Sequence, residues 1–260
     1  MTTTTWQLQT PIDGVVFDCD GTLSAIEGIN ELAKYNNVGE EITALTEQAM
    51  SQTGLNPKLY HQRLVRIAPQ AKQLIALGEA YRQNQIPDGK VVIETLKRYH
   101  KAVYLVSAGL SQALHLFGEY LNIPKNNIYA VDVHFDAAGH FIDFDHTSPL
   151  TTQLGKQMIV NQLKQIHDRI IHIGDGLNDL VTHDLVTRFI GFGGAFYRKN
   201  IEAQCHFYIR TCSLAPVLPL VLTAAEYELL NEQERIFYHK GLDAIQSGHV
   251  KCPDKDNSKA

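Results

Sequence analysis

Residues 14–23 constrain this chain more than any other stretch. They read Gly-Val-Val-Phe-Asp-Cys-Asp-Gly-Thr-Leu. The first half is a short apolar, β-prone run, which predicts a buried strand. The strand ends in two carboxylates, Asp18 and Asp20, followed by Gly21 and Thr22. Strand residues alternate faces, but a turn at Gly21 lets both carboxylates project around one crevice at the strand's C-terminal edge. Open α/β sheets bind ligands at that edge. Two desolvated carboxylates repel each other and call for a cation or a reaction. Asp-x-Asp alone also describes a solvated turn in which Thr22 caps a helix. The strand followed by Asp-x-Asp-Gly-Thr is a far more specific pattern.

A chain of 260 residues that is 44% hydrophobic can bury one sizeable core, or a core with a smaller inserted domain. A net charge of −5 argues against nucleic acid as a partner, because a phosphate backbone demands a basic face. Cys19, Cys205, Cys212 and Cys252 show no C-x-x-C spacing and suit a reducing compartment. Residues 1–10 lack the apolar region of a signal peptide. The longest apolar run, 214–225, contains Pro216 and Pro219 and is too short to span a bilayer. The expectation is a soluble, cytoplasmic protein without a membrane partner, either monomer or homodimer. The twelve histidines form no H-x-x-x-H pair and read as solvated or core side chains.

Taken in order, 22–35 carries apolar positions at helical spacing. Glu27 interrupts them and by pattern alone is an exposed helix acid. No convincing strand occurs between 38 and 85, where helical spacing recurs, including Ala71, Leu74, Ile75, Gly78 and Tyr81. Arg63 and Arg66 read there as solvated helix cations. Ile86-Pro87-Asp88-Gly89 marks the return to the core. A second strand, 102–106, leads into Ser107-Ala108-Gly109. A hydroxyl at a strand end before a helix is placed to bind phosphate or to cap the helix, and Ser111 could also supply the cap. A β-hairpin is predicted around Asp136-Ala137-Ala138-Gly139. Gly155-Lys156 opens a helix. A third strand, 169–173, ends in Gly174-Asp175-Gly176-Leu177-Asn178-Asp179, again with carboxylates at a strand end. Two further strands follow, within 188–194 and 205–209. Thr223 and Glu226 form a capping box before a helix predicted to reach Gln246.

These four stretches, in this order, resemble the motifs of the haloacid dehalogenase superfamily, mostly Mg-dependent phosphotransferases. The resemblance implies that Asp18 is the nucleophile and Asp20 the general acid/base. A metal must then neutralise the phosphoryl group before a carboxylate can attack it. Thr22 would orient Asp18 by a hydrogen bond. Ser107, with the backbone at Ala108 and Gly109, would hold the phosphoryl group. Lys156, rather than Lys164, would pair with the nucleophile. Mg²⁺ would be held by Asp18, Asp175 and the Asp20 carbonyl, since it takes hard oxygen ligands and keeps waters. Asp179 would support waters or Lys156, and Asn178 would touch the substrate.

Glu27-Gly28-Ile29-Asn30-Glu31-Leu32-Ala33-Lys34 and Phe189-Ile190-Gly191-Phe192-Gly193-Gly194 resemble the phosphoserine phosphatase branch. That branch implies a role in L-serine biosynthesis. It implies that Glu27 receives the substrate ammonium and Arg63 its carboxylate, with Arg66 as competitor and Met50 as an apolar cap residue. The reaction implied is hydrolysis of a small phosphomonoester through an aspartyl-phosphate, with O-phospho-L-serine favoured. The branch usually has Asp-x-Asp-Ser-Thr, so the Gly21 departure keeps phosphothreonine, phosphoethanolamine and sugar phosphates open. A phospho-accepting signalling domain of the response-regulator kind is the rival class; it needs no acid two residues after the nucleophile and usually has no cap. The fold expected is a doubly wound, mostly parallel α/β sheet. Residues 11–27 and 86–212 would form the core and 28–85 a helical cap. A helical extension, 213–246, and a disordered tail, 247–260, would complete the chain.

Overall fold

The computed structural model describes residues 6–48 and 55–253. Met50 lies outside them, so its expected place in the cap is not addressed further. Nine strands are present among the described residues: β1 (Gly14–Phe17), β2 (Ala102–Leu110), β3 (Ile128–Val131), β4 (Val133–Phe135), β5 (Phe141–Phe144), β6 (Ile170–Gly174), β7 (Arg188–Phe192), β8 (Phe207–Ile209) and β9 (Val250–Lys251). Seven of them form one sheet in the order β3-β2-β1-β6-β7-β8-β9, while β4 and β5 make the predicted hairpin. All pairings in the large sheet are parallel except β8 with β9.

The central strands are buried along their whole length, which is why they read as continuous apolar runs rather than alternating ones. Register fixes the site. Phe17 lies beside Leu105 on one side and Ile173 on the other. The residues that follow, Asp18, Ser107 and Asp175, therefore emerge at one edge of the sheet.

Four helices follow β1 before the return to the core at 86–89: α1 (Gly28–Tyr35), α2 (Gly39–Gln48), α3 (Pro57–Ile67) and α4 (Ala71–Gln83). Then come α5 (Gly89–Arg98), α6 (Ser111–Tyr120), α7 (Gly155–Leu163), α8 (Leu177–Leu180) and α9 (Lys199–Gln204). The chain closes with α10 (Val217–Val221), α11 (Ala224–Glu228) and α12 (Glu232–Gln246). Tyr81 on α4 stacks on Phe117 of α6, with ring centroids 5.6 Å apart and planes at 23°.

Three expectations change. The helix expected over 22–35 starts only at Gly28, because the N–H groups of Thr22, Leu23 and Ser24 all donate to the Cys19 carbonyl in a tight turn. The helix after Thr223 ends at Glu228, and a second capping box, Asn231 with Glu234, starts α12. The tail is not disordered at its start. Val250 and Lys251 pair with Ile209 and Tyr208, because β8 would otherwise offer an open sheet edge.

Residues 213–253 join the core through buried apolar side chains such as Leu218, Leu222 and Tyr238, and add charged contacts to it. Lys101 Nζ is buried and meets Glu226 Oε1 at 2.6 Å and the Ile12 carbonyl at 3.2 Å. Breaking a buried pair strands a charge. Glu226→Ala is therefore expected to cost about 3–5 kcal/mol in urea unfolding, part of it from the lost cap at Thr223. The double change Lys101→Met with Glu226→Gln should recover most of that loss. An unchanged midpoint in Glu226→Ala would show that the pair contributes nothing.

Candidate active site

The site is built where β1, β2 and β6 end. Gly21 makes the turn after β1 possible: its φ is +73°, and a Cβ there would lie 2.4 Å from Asp175 Oδ2. Asp18, Asp175 and Asp179 are buried, and each offers an oxygen within 4.8 Å of the others. Lys156, 2% exposed at the start of α7, reaches Asp18 Oδ1 at 2.5 Å and Asp179 Oδ1 at 2.6 Å. Burial would depress its ammonium, but Asp179 and Asp18 outweigh that and hold its pKa above the ordinary value.

The four acids divide by environment. Burial pushes Asp18 well up, Asp179 adds to this, and Lys156 opposes it. Burial raises Asp175 to about 6 against the pull of Arg198. Burial would also raise Asp179, yet Lys156 and His172 bring it down to about 2. Asp179 Oδ1 faces Lys156 and lies 3.1 Å from His172 Nε2, and Oδ2 accepts from the Gly176 N–H at 3.2 Å. Asp20 is raised by burial, opposed by hydrogen bonds from the Gly28 N–H and the Tyr81 hydroxyl.

Three crowded, buried carboxylates fit a divalent cation: they are hard oxygen donors whose mutual repulsion a cation relieves. Asp175 already draws one cation, since the Arg198 guanidinium lies on its Oδ2. Asp18 and Asp175 could each offer it an oxygen. Asp179 joins the cluster geometrically but has both oxygens engaged by Lys156 and Gly176.

Beside this centre lies a cavity of about 40 Å³, lined on its polar side by Asp20, Glu27, Tyr60, Arg63, Tyr81 and Gly109. As it stands it admits only a few water-sized groups. Arg63 is 3% exposed, donates to Thr46 Oγ1 at 3.1 Å and has no acidic ion-pair partner among the described residues. Arg66 instead bonds Glu41 in solvent at 3.0 Å, so of the two arginines Arg63 lines the cavity. Glu27 is raised well above its usual range by burial and by Asp20 and Asp175, against Arg198 and Arg63.

Ser107 sits inside β2, at an irregularity of register, rather than at its end. Its Oγ accepts from the Gly109 N–H at 3.0 Å and lies 3.5 Å from Asp20 Oδ2. The Ala108 carbonyl accepts from the Tyr60 hydroxyl at 2.9 Å. Asn178 is buried on α8. Thr22 departs from expectation. Its Oγ1 is buried with no hydrogen-bond partner among the described residues, so it does not orient Asp18; its backbone is committed to the turn on Cys19.

Sequence reasoning missed four residues. Arg198 contacts Asp175 and lies 3.4 Å from Glu27. Its position just beyond the C-terminal end of β7 was the available signal, since site residues gather along that edge. His172 is buried in β6 against Asp179, Tyr81 reads by its helical spacing as cap core, and Tyr60 carries no sequence signal of its own. Among the described residues no helix is long and apolar enough to cross a membrane.

A model of the haloacid dehalogenase-like hydrolases matches residues 12–182. Bovine (Bos taurus) phosphoserine phosphatase is 31% identical over 199 residues, 76% of this chain and 88% of the relative. The human (Homo sapiens) enzyme shows the same identity and coverage. A phosphoserine phosphohydrolase-like protein from Francisella tularensis superposes with a TM-score of 0.71 at 25% identity, covering 80% of this chain and all of that one. The chain belongs to the haloacid dehalogenase-like hydrolases. Within them it is a phosphatase, similar to the phosphoserine phosphatases.

Proposed function

We propose that this protein hydrolyses O-phospho-L-serine in the cytoplasm, with Mg²⁺ held by Asp18 and Asp175 beside the Asp20 backbone. The observation that carries the substrate reading is the cavity's charge. Glu27 and Arg63 line the same small space next to Asp20, and Arg63 is buried there without an acidic partner among the described residues. A buried guanidinium needs an anion, and a carboxylate meets it bidentately. Glu27 offers the opposite charge for an ammonium.

Mg²⁺, when bound, neutralises the phosphoryl oxygens and lets a carboxylate approach them. Asp18 attacks phosphorus, and the bond to the ester oxygen breaks. The departing oxygen takes the proton of Asp20 and leaves as an alcohol. Asp20, now ionised, removes a proton from water, which attacks the aspartyl-phosphate. The acyl–phosphate bond breaks, releasing inorganic phosphate and restoring both acids. Lys156 holds Asp18 in place and offsets charge, and Ser107 with the Gly109 N–H receives a phosphoryl oxygen. Asp179 fixes Lys156, and Asn178 flanks the substrate.

Glu27→Gln and Arg63→Ala should each lower kcat/KM for phosphoserine about 10- to 100-fold, and much less for p-nitrophenyl phosphate. That ratio corresponds to hydrogen bonds to charged groups of about 1.5–3 kcal/mol. The check is a panel of phosphoserine, phosphothreonine, phosphoethanolamine, sugar phosphates and p-nitrophenyl phosphate. Equal rates for phosphoserine and sugar phosphates in the wild type would overturn the substrate assignment.

A further inference from the structure

Asp20 is held by groups from two separate parts of the chain. Its two oxygens are not equivalent. Oδ1 accepts from the Gly28 N–H at 2.5 Å and from the Tyr81 hydroxyl at 2.9 Å. Among the described residues Oδ2 has only Ser107 Oγ, at 3.5 Å. An oxygen that accepts two donors is held as an acceptor, so the exchangeable proton belongs on the other.

The phenol is built into this position. Tyr81 is fully buried, and its ring stacks on Phe117. Space for its hydroxyl exists only because residue 28 is glycine: a Cβ there would lie 1.9 Å from Tyr81 Oη and 3.2 Å from Asp20 Oδ1. Gly28, Tyr81 and Asp20 thus occupy one another's only room. Tyr81 belongs to α4, among the inserted helices, and Asp20 to the turn after β1.

We propose that Tyr81 is a positioning residue for Asp20: from the inserted helices it anchors Oδ1, leaves Oδ2 to give and take the proton, and ties that arrangement to the packing of α4 on α6. The setting of the acid then depends on α4 being packed on α6. Tyr81 keeps its own proton throughout; the proton delivered to the leaving oxygen comes from Asp20. The inference rests on the phosphatase chemistry proposed above, though not on the choice of phosphoserine.

The test is single-turnover phosphorylation of Asp18 by an alkyl phosphate and by p-nitrophenyl phosphate. An alkoxide needs its proton, and p-nitrophenolate hardly does. Tyr81→Phe keeps the ring and its stacking. It should slow the alkyl reaction about 10- to 30-fold, mainly in the rate at saturation rather than in KM, and slow the aryl reaction severalfold less. In an Asp20→Asn background the same change should add no further loss with the alkyl phosphate. A merely structural tyrosine would lower both substrates equally and add to Asp20→Asn, and either result overturns the proposal. A poorly folded Tyr81→Phe, seen as a large fall in melting temperature, would assign Tyr81 to stability and likewise overturn it. If the wild type itself is phosphorylated by neither ester, the phosphatase chemistry fails first, and that outcome is distinct from the others.

Discussion

Asp18→Asn is expected to lower kcat by at least about 10⁴-fold, the scale on which removing a nucleophile acts, with the fold intact. Steady-state phosphate release from phosphoserine and from p-nitrophenyl phosphate measures the loss, and circular dichroism checks the fold. A substantial wild-type rate in the purified variant would refute attack by Asp18. Stability gives a second readout without substrate. Burial and Asp179 push Asp18 above its ordinary value of 3.8. The folded state therefore binds this proton more tightly than the unfolded state does. The stability it contributes is complete below 3.8 and lost as pH rises through the folded value. Without divalent cations, Asp18→Asn should melt higher than the wild type at pH 8, and the gap should close toward pH 4. Lys156 keeps Asp179 as a partner in the variant, so its charge is not stranded.

Removal of divalent cations by exhaustive dialysis against EDTA is expected to abolish turnover, and added Mg²⁺ to restore it. Full activity in excess EDTA would refute the metal assignment. Ca²⁺ should inhibit, because it takes more ligands at longer distances and can engage both oxygens of Asp18. Binding is also visible as stability. A cation at about 100 times its dissociation constant adds roughly 2.7 kcal/mol. For a chain of this size that raises the melting temperature by about 5–10 °C. Asp175 titrates at about 6, so protons compete with the cation below that value. The rise should be large at pH 8 and shrink markedly at pH 5; the same rise at both would argue against Asp175 as a ligand. Arg198 lies on the same carboxylate, and a bound cation must share Asp175 with it.

Part of the site was legible because Asp18 and Asp175 follow apolar strands that the sheet order brings side by side, with Ser107 in the next strand; Lys156 comes from the start of α7. The inserted helices were harder to read. Helical periodicity identifies a buried face but does not distinguish core from cavity wall. Tyr60 and Tyr81 share the buried faces of α3 and α4 with Leu64 and Leu74, and only their hydroxyls reach into the site. Arg63 and Arg66 lie on one helix in similar sequence surroundings. Packing buries the first and leaves the second with Glu41 in solvent.

What the sequence determined by itself is the parallel sheet and the acids at its edge. A four-residue apolar strand followed by Asp-x-Asp-Gly-Thr admits few other uses, since the energy of desolvating two carboxylates must be offset by a cation or a reaction. What only the tertiary structure decided are the partnerships between separate elements. Arg198 with Asp175 and Tyr81 with Asp20 join elements distant in the chain, and even His172 with Asp179, seven residues apart, depends on how α8 turns back on β6. The fate of residues 247–253 was decided in the same way. Polar composition predicts no structure there, but the open edge of β8 supplies backbone partners that no local pattern records.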